Sequence, residues 1–259
     1  MIARKTLKNY WLVISLFIGI LVTIALVSSI PIYTTGSLQN LVVSESQRYQ
    51  EENGNYPGII KQALNWKDLN AQYDRVELLE QLENTNEKIL RRQVEMPRAE
   101  LGTMLTSIVL QGERDSTDSK LKNVYLSSLS GFEENIKLVQ GKEPDHSKDH
   151  GAFEVYVHDR ALLEMDLFLG EDIRLSHKAL DEEIIVRPVG TFQAAEQTEL
   201  YWPESPERFD DIFILADDVF REHLLPLENF VNNVLIYSIY DYSGLDINDA
   251  FKLDRKSVV

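Results

Sequence analysis

Residues 152–176 read AFEVYVHDRALLEMDLFLGEDIRLS, and the changes of pattern inside this stretch set the fold class. AFEVYVH is a short run rich in Val, Tyr and Phe, the composition of a strand. HDRALLEMDLF (158–168) brings Leu162, Leu163, Met165 and Leu167 together as a short helix that stops before Gly170. EDIRLS is strand-like again. The same punctuation extends outward on both sides. LGTMLTSIVLQ (101–111), KNVYLSSLS (122–130), ENIKLVQ (134–140), EEIIVRPVGTFQ (182–193), DIFILA (211–216) and VNNVLIYSIYDY (231–242) are further short runs separated by Gly, Pro, Asp and Ser. A second short helix, DDVFREHLL, starts at Asp217 and is closed by Pro226. The mixture predicts an α+β domain over residues 99–259. Residues 112–121 and 143–151 are polar without apolar periodicity and are expected to be exposed loops.

Upstream the pattern becomes helical. From Trp66 to Glu95, Leu69, Tyr73, Val76, Leu79, Leu82 and Ile89 recur at helical spacing on one face, and Met96-Pro97 ends the helix. Asn86 interrupts the stripe, which favours a helix packed on its own domain over a coiled coil. GSLQNLVVSESQRYQEE (36–52) has helix-forming composition and forms a stalk that Asn53-Gly54-Asn55-Tyr56-Pro57-Gly58 terminates, with Gly54 and Gly58 as candidate hinges. Before the stalk, YWLVISLFIGILVTIALVSSIPI (10–32) holds no charged residue over 23 positions, more than the roughly 20 that span a bilayer as helix. Arg4, Lys5 and Lys8 precede it with no acid among the first 33 residues, so the positive-inside bias keeps residues 1–9 cytoplasmic. Tyr10, Trp11 and Tyr33 bracket the run as interfacial aromatics do. The run is too long for the apolar core of a cleaved signal peptide, and the stiff Ile30-Pro31-Ile32 replaces a cleavage site. The organisation read here is a cytoplasmic N-terminus (1–9), a transmembrane helix (10–33), a helical stalk and segment (34–98), and an extracytoplasmic core domain (99–259).

Without the three basic residues of the tail, 23 Lys+Arg face 42 Asp+Glu, a net charge of −19 on the outer portion. Such a surface disfavours nucleic acid as a partner. With no cysteine there is neither a disulfide nor a thiolate nucleophile, and the outer domain rests on its hydrophobic core. No phosphate-cradling Gly-rich loop, nucleophile elbow or HExxH motif is present, so no enzyme and no cofactor are assigned. Asp145-His146-Ser147-Lys148-Asp149-His150 offers two imidazoles and two carboxylates, but Lys148 would repel a cation, and no metal site is assigned. The isolated His158, His177 and His223 read as surface or capping residues. Tyr201, Trp202, Tyr237, Tyr240 and Tyr242 concentrate aromatic area in two places. Core packing is the plain reading, and a partner or ligand surface the functional one.

The order of features resembles the FtsX-like, or MacB-type, permease subunits of bacterial ABC transporters. IKLVQGKEP (136–144) is similar to that family's strand followed by a Gly-Arg pair, with Lys142 in place of Arg. FEVYVHDRALLEMDLFLGEDIRL (153–175) is like its strand, short helix and Leu-x-x-Gly-Asp turn, with Glu171 interposed before Asp172. IIVRPVGTFQ (184–193) is like the returning strand ending in Val-Gly. Gly141 and Gly170 would then occupy turns needing positive φ, and Leu162 and Leu167 would anchor the short helix on the sheet. The resemblance implies a single-pass cell-membrane protein with a MacB-type outer domain and two kinds of partner: an ABC ATPase subunit and further permease segments. In that family at least three more membrane helices follow the core domain. The present chain carries no second apolar span, so it reads as a permease subunit or its N-terminal part, with the outer domain incomplete at its C-terminal end. A membrane-anchored binding or adaptor module for an extracytoplasmic protein, with the helix of residues 66–95 as its interaction surface, is the alternative.

Overall fold

The computed structural model describes residues 10–53, 56–66, 74–93, 98–114, 120–146, 151–196, 198 and 200–241. The chain divides after Arg48 into two units, one holding the long N-terminal helix and the other Tyr49–Tyr242.

That helix, α1, runs unbroken over Tyr10–Asn53, 44 residues, so the composition of 36–52 does continue the apolar helix. Side chains 14–29 are all exposed, from Ile14 and Leu16 to Leu26 and Val27. The helix is thus apolar on every side there, which in a globular setting would demand burial all round. Two of its hydroxyls are turned onto its own backbone: Thr23 Oγ1 donates to Gly19 O at 2.8 Å and Ser29 Oγ to Leu26 O at 2.9 Å. Among the described residues no helix is long and apolar enough to cross a membrane.

The second unit is a mixed α/β domain built on one ten-stranded sheet. Its strands are β1 (Ile59–Asn65), β2 (Arg98–Ser107), β3 (Leu110–Arg114), β4 (Lys120–Leu129), β5 (Ile136–Gly141), β6 (Phe153–His158), β7 (Ile173–Ser176), β8 (Ile184–Ala194), β9 (Ile212–Ile214) and β10 (Val231–Tyr240). Helix α2 spans Arg75–Gln93 and α3 Asp159–Glu164. A short turn, α4 (Asp217–Val219), continues in π-helical form through Phe220–Leu224. The strand order is β1-β10-β2-β4-β3-β7-β8-β6-β9, with β5 on β8. Because β9 also pairs in parallel with β4, six strands (β4, β3, β7, β8, β6, β9) close into a circuit. The run 101–111, expected as one strand, is two: it breaks at Ile108-Val109 as it passes from β2 to β3. The buried Ser107 patches the break, donating to Ile108 O at 2.7 Å and accepting from Leu126 N at 2.9 Å.

Both faces of the sheet are covered. On β6, Phe153, Val155 and Val157 enter one apolar cluster and Tyr156 the other; on β10, Val234 and Ile236 divide from Leu235, Tyr237 and Ile239 in the same way. Strands buried on two faces read as continuous apolar runs rather than alternating ones. α2 covers the first cluster through Leu79, fully buried, with Val76 and Leu82 partly so. Val76, Leu79 and Leu82 of its apolar stripe therefore pack on its own domain, as the Asn86 interruption suggests, while Ile89, beyond Asn86, stays exposed. Leu69 and Tyr73 lie outside the described residues.

Candidate functional site

Tyr201, Trp202, Tyr237 and Tyr240, expected as a partner or ligand surface, are instead 3%, 6%, 0% and 2% exposed. Tyr201 and Trp202 belong to an aromatic nest with Phe132, Phe192 and Phe209. Trp202 stacks parallel to Phe192 at 6.4 Å and meets Tyr201 edge-on at 5.1 Å. Their polar edges are satisfied inside: Tyr201 Oη donates to Ser130 O at 3.0 Å and Trp202 Nε1 to Thr198 Oγ1 at 3.1 Å. Tyr237 lies over Gly102, directly opposite in the β10–β2 register; a Cβ there would sit 2.3 Å from the ring. These side chains contribute packing, and Tyr242 lies outside the described residues. Gly58, an expected hinge, is pinned: its carbonyl accepts from Tyr240 N at 2.8 Å, and a Cβ would meet Tyr240 O at 2.3 Å. Gly54 lies outside the described residues.

The motif of residues 136–176 fares differently. Gly141 and Gly170 have φ of +83° and +86°, Leu167 is buried, and Leu162 packs against the core. His158 and His177 act as caps, accepting from Arg160 N at 3.4 Å and Ala179 N at 3.0 Å. His158 is buried rather than superficial, and burial pushes its pKa below the ordinary value.

A cleft of about 540 Å³ opens between the β7–β8 connection and the turn that follows the π-helical segment. Phe153, Leu180, Ile184, Leu224 and Leu227 supply apolar lining, and Asp181, Glu182, Glu183 and Glu228 acidic side chains, with His223 beside Phe153 at 5.9 Å. Its size is that of a small-molecule site. The helical segment 217–224 forms one wall with His223 and Leu224.

The other end of that segment meets His146. The imidazole lies between two carboxylates, Nδ1 3.0 Å from Asp218 Oδ2 and Nε2 3.1 Å from Glu133 Oε1. Asp218 Oδ1 meanwhile accepts from Val219 N at 2.8 Å. The Asp218 hydrogen bond raises the imidazole pKa most; burial pulls the other way, and Glu133 raises it further. Burial pushes the Asp218 carboxyl up, but His146 and the Val219 N–H hold it below its ordinary value. The segment is further tied by Arg221, which donates to Asp217 at 2.8 Å and to both oxygens of Glu83 on α2 at 2.8 and 3.2 Å. In the sequence Glu133 reads only as half of a chance acidic pair with Glu134, and neither it nor Asp218 stands at a recognisable spacing from His146. No group of three metal-ligating side chains is placed to hold an ion among the described residues. Residues 147–150 of the histidine cluster lie outside them.

No family model matches the chain, and no curated protein matches it. Among solved structures it is similar to the periplasmic region of MacB from Actinobacillus actinomycetemcomitans, at 12% identity and a TM-score of 0.39, covering 77% of this chain and 81% of that one. It is also similar to a domain of a putative permease protein from Porphyromonas gingivalis, at 14% identity and a TM-score of 0.33, covering 66% and 74%. Likenesses at this level decide neither fold nor function.

Proposed function

We propose that this chain is a permease-type subunit of a bacterial ABC transporter, or the N-terminal part of one, anchored by α1 with its α/β domain outside the cytoplasm. The observation that carries the anchor is the exposure of apolar side chains on every side from Ile14 to Val27, on a helix where Thr23 and Ser29 turn their hydroxyls onto its own backbone. Such a surface is stable only in an apolar medium. The basic lead of Arg4, Lys5 and Lys8 sets its direction. The permease reading rests on the ordered motifs of residues 136–193, whose two glycines have the positive φ that the resemblance implies.

In this reading the chain makes and breaks no covalent bond. A separate cytoplasmic ATPase drives the cycle, and the outer domain senses a ligand in the cleft. Acidic side chains on an apolar floor suit a cation with an apolar body. The test is to express the full chain in a bacterial host, wash membranes with alkaline carbonate, and solubilise gently. The chain should stay with the membrane and co-purify with an ABC ATPase subunit. Release into the carbonate wash would remove the anchor. Retention without any ATPase would favour the anchored adaptor module over the permease.

A further inference from the structure

We propose that His146, Glu133 and Asp218 form a proton-operated clasp that braces one wall of the cleft. As a regulation of ligand access, this rests on the reading of the cleft as a ligand site; as a switch, it stands on the geometry alone. Both ring nitrogens of His146 face carboxylate oxygens, at 3.0 and 3.1 Å. A neutral imidazole carries one N–H and can donate to only one of them, leaving the other carboxylate against a lone pair. The imidazolium donates to both. The observed arrangement is therefore the protonated one, and its three members come from separate segments: the 3-10 turn Glu133–Asn135, the loop after β5, and α4.

The neighbouring charges are already committed, so none replaces the lost proton. Lys142 is paired with Glu154 at 2.8 and 2.9 Å, Glu154 also accepts from Asp145 N, and Asp217 is held by Ser128 and Arg221. Glu134 and Glu143, beside the clasp in sequence, are exposed acids and supply no positive charge in its place. α4 and its π-helical continuation run directly from the clasp, at Asp218, to the cleft, at His223 and Leu224. Acid closes the clasp and stiffens this wall. Raising the pH through the His146 pKa releases one carboxylate and loosens it.

The experiment is hydrogen exchange on the full chain in nanodiscs at pH 5.5 and 8.0, with rates corrected for intrinsic exchange. The amides read are those of Phe220 and Leu225, bonded to Ala216 O and Phe220 O. Their protection should fall about two- to fivefold at the higher pH, the scale of a half-exposed ion pair. In His146→Gln the pH response should vanish, and in Glu133→Gln it should shrink. The His146 ring, followed by NMR in the wild type, should titrate above about 6.5. That last measurement decides the matter even where a variant does not fold. Protection independent of pH in the wild type, an undiminished response in His146→Gln, or a ring titrating at or below the ordinary value would each overturn the clasp. None of these outcomes touches the membrane anchor, which the carbonate wash tests separately.

Discussion

Replacing Gly141 by Ala tests whether the Gly-Lys turn after β5 is a structural requirement. Gly141 sits at φ +83°, where an L-residue costs about 1–2 kcal/mol. It also faces Gly190 across the β5–β8 register, and an added Cβ would lie 2.0 Å from Val189 O and 2.9 Å from Val189 C. Those are backbone atoms of a central strand, so relief requires β5 and β8 to part. The bond from Lys142 N to Val189 O, 2.9 Å, would go with them, at about 1 kcal/mol. The total is about 2–3 kcal/mol, or roughly 4–12 °C in melting temperature for a domain of this size. Gly170 is the internal control: its φ is +86°, but an added Cβ meets nothing within 4 Å. Gly170→Ala should therefore cost only the conformational part, about 1–2 kcal/mol. Urea unfolding followed by fluorescence of the buried Trp66 and Trp202 gives both values. Equal losses in the two variants would refute the close approach of β5 to β8.

Truncating Leu79 to Ala should cost about 2–5 kcal/mol in the same assay, since it is fully buried under α2, whereas Ile89→Ala on the exposed part of that helix should change stability by less than about 0.5 kcal/mol. Arg221→Met strands Glu83 and Asp217, and with all three side chains about a quarter exposed the loss should be about 1–3 kcal/mol. The Glu154 carboxyl is pushed up by burial, but Lys142 and the Asp145 N–H outweigh that and hold it below 4.5. Its pairing therefore stabilises the fold above pH 4.5 and is lost as the pH falls through the lowered value. The stability difference between wild type and Lys142→Met should be present at pH 7, within the range of about 0.2–1 kcal/mol for exposed pairs, and vanish in acid. His158 works in the opposite sense to His146. Burial depresses its pKa, so its cap on α3 is fully present above about 6.5 and fails as the pH falls through the lowered value, which hydrogen exchange at Arg160 N should report.

β2 and the strands from β4 to β10 were legible because their apolar runs are dense and end at Gly, Pro or Asp, whereas β3 (Leu110–Arg114) runs into the stretch 112–121 expected as an exposed loop. The turns at Gly141 and Gly170 were legible because only a residue without Cβ takes such φ at little cost. β1 was not legible. IIKQALN is exposed at Ile60, Lys61 and Gln62 and holds its place by antiparallel pairing with β10, which leaves little hydrophobic signal. The break between β2 and β3 was hidden because Ser107, which repairs it, looks like any polar residue in a strand. The aromatic residues drew a functional reading because area and amphipathicity are the same in a core as at an interface. What decided between them was the arrival of Phe132, Phe192 and Phe209 from distant segments. The His146 clasp was invisible for the same reason, as Asp218 is 72 residues away along the chain.

The most direct test of the anchor uses the absence of cysteine, which makes any single introduced thiol a clean reporter. Lys5→Cys and Leu163→Cys, the latter 82% exposed on α3, are treated with a membrane-impermeant maleimide in intact spheroplasts and again after permeabilisation. The account expects Cys at 163 to react in both conditions and Cys at 5 only after permeabilisation. Equal protection of both positions in intact spheroplasts, or labelling of position 5 alone, would contradict a membrane-anchored domain facing outward.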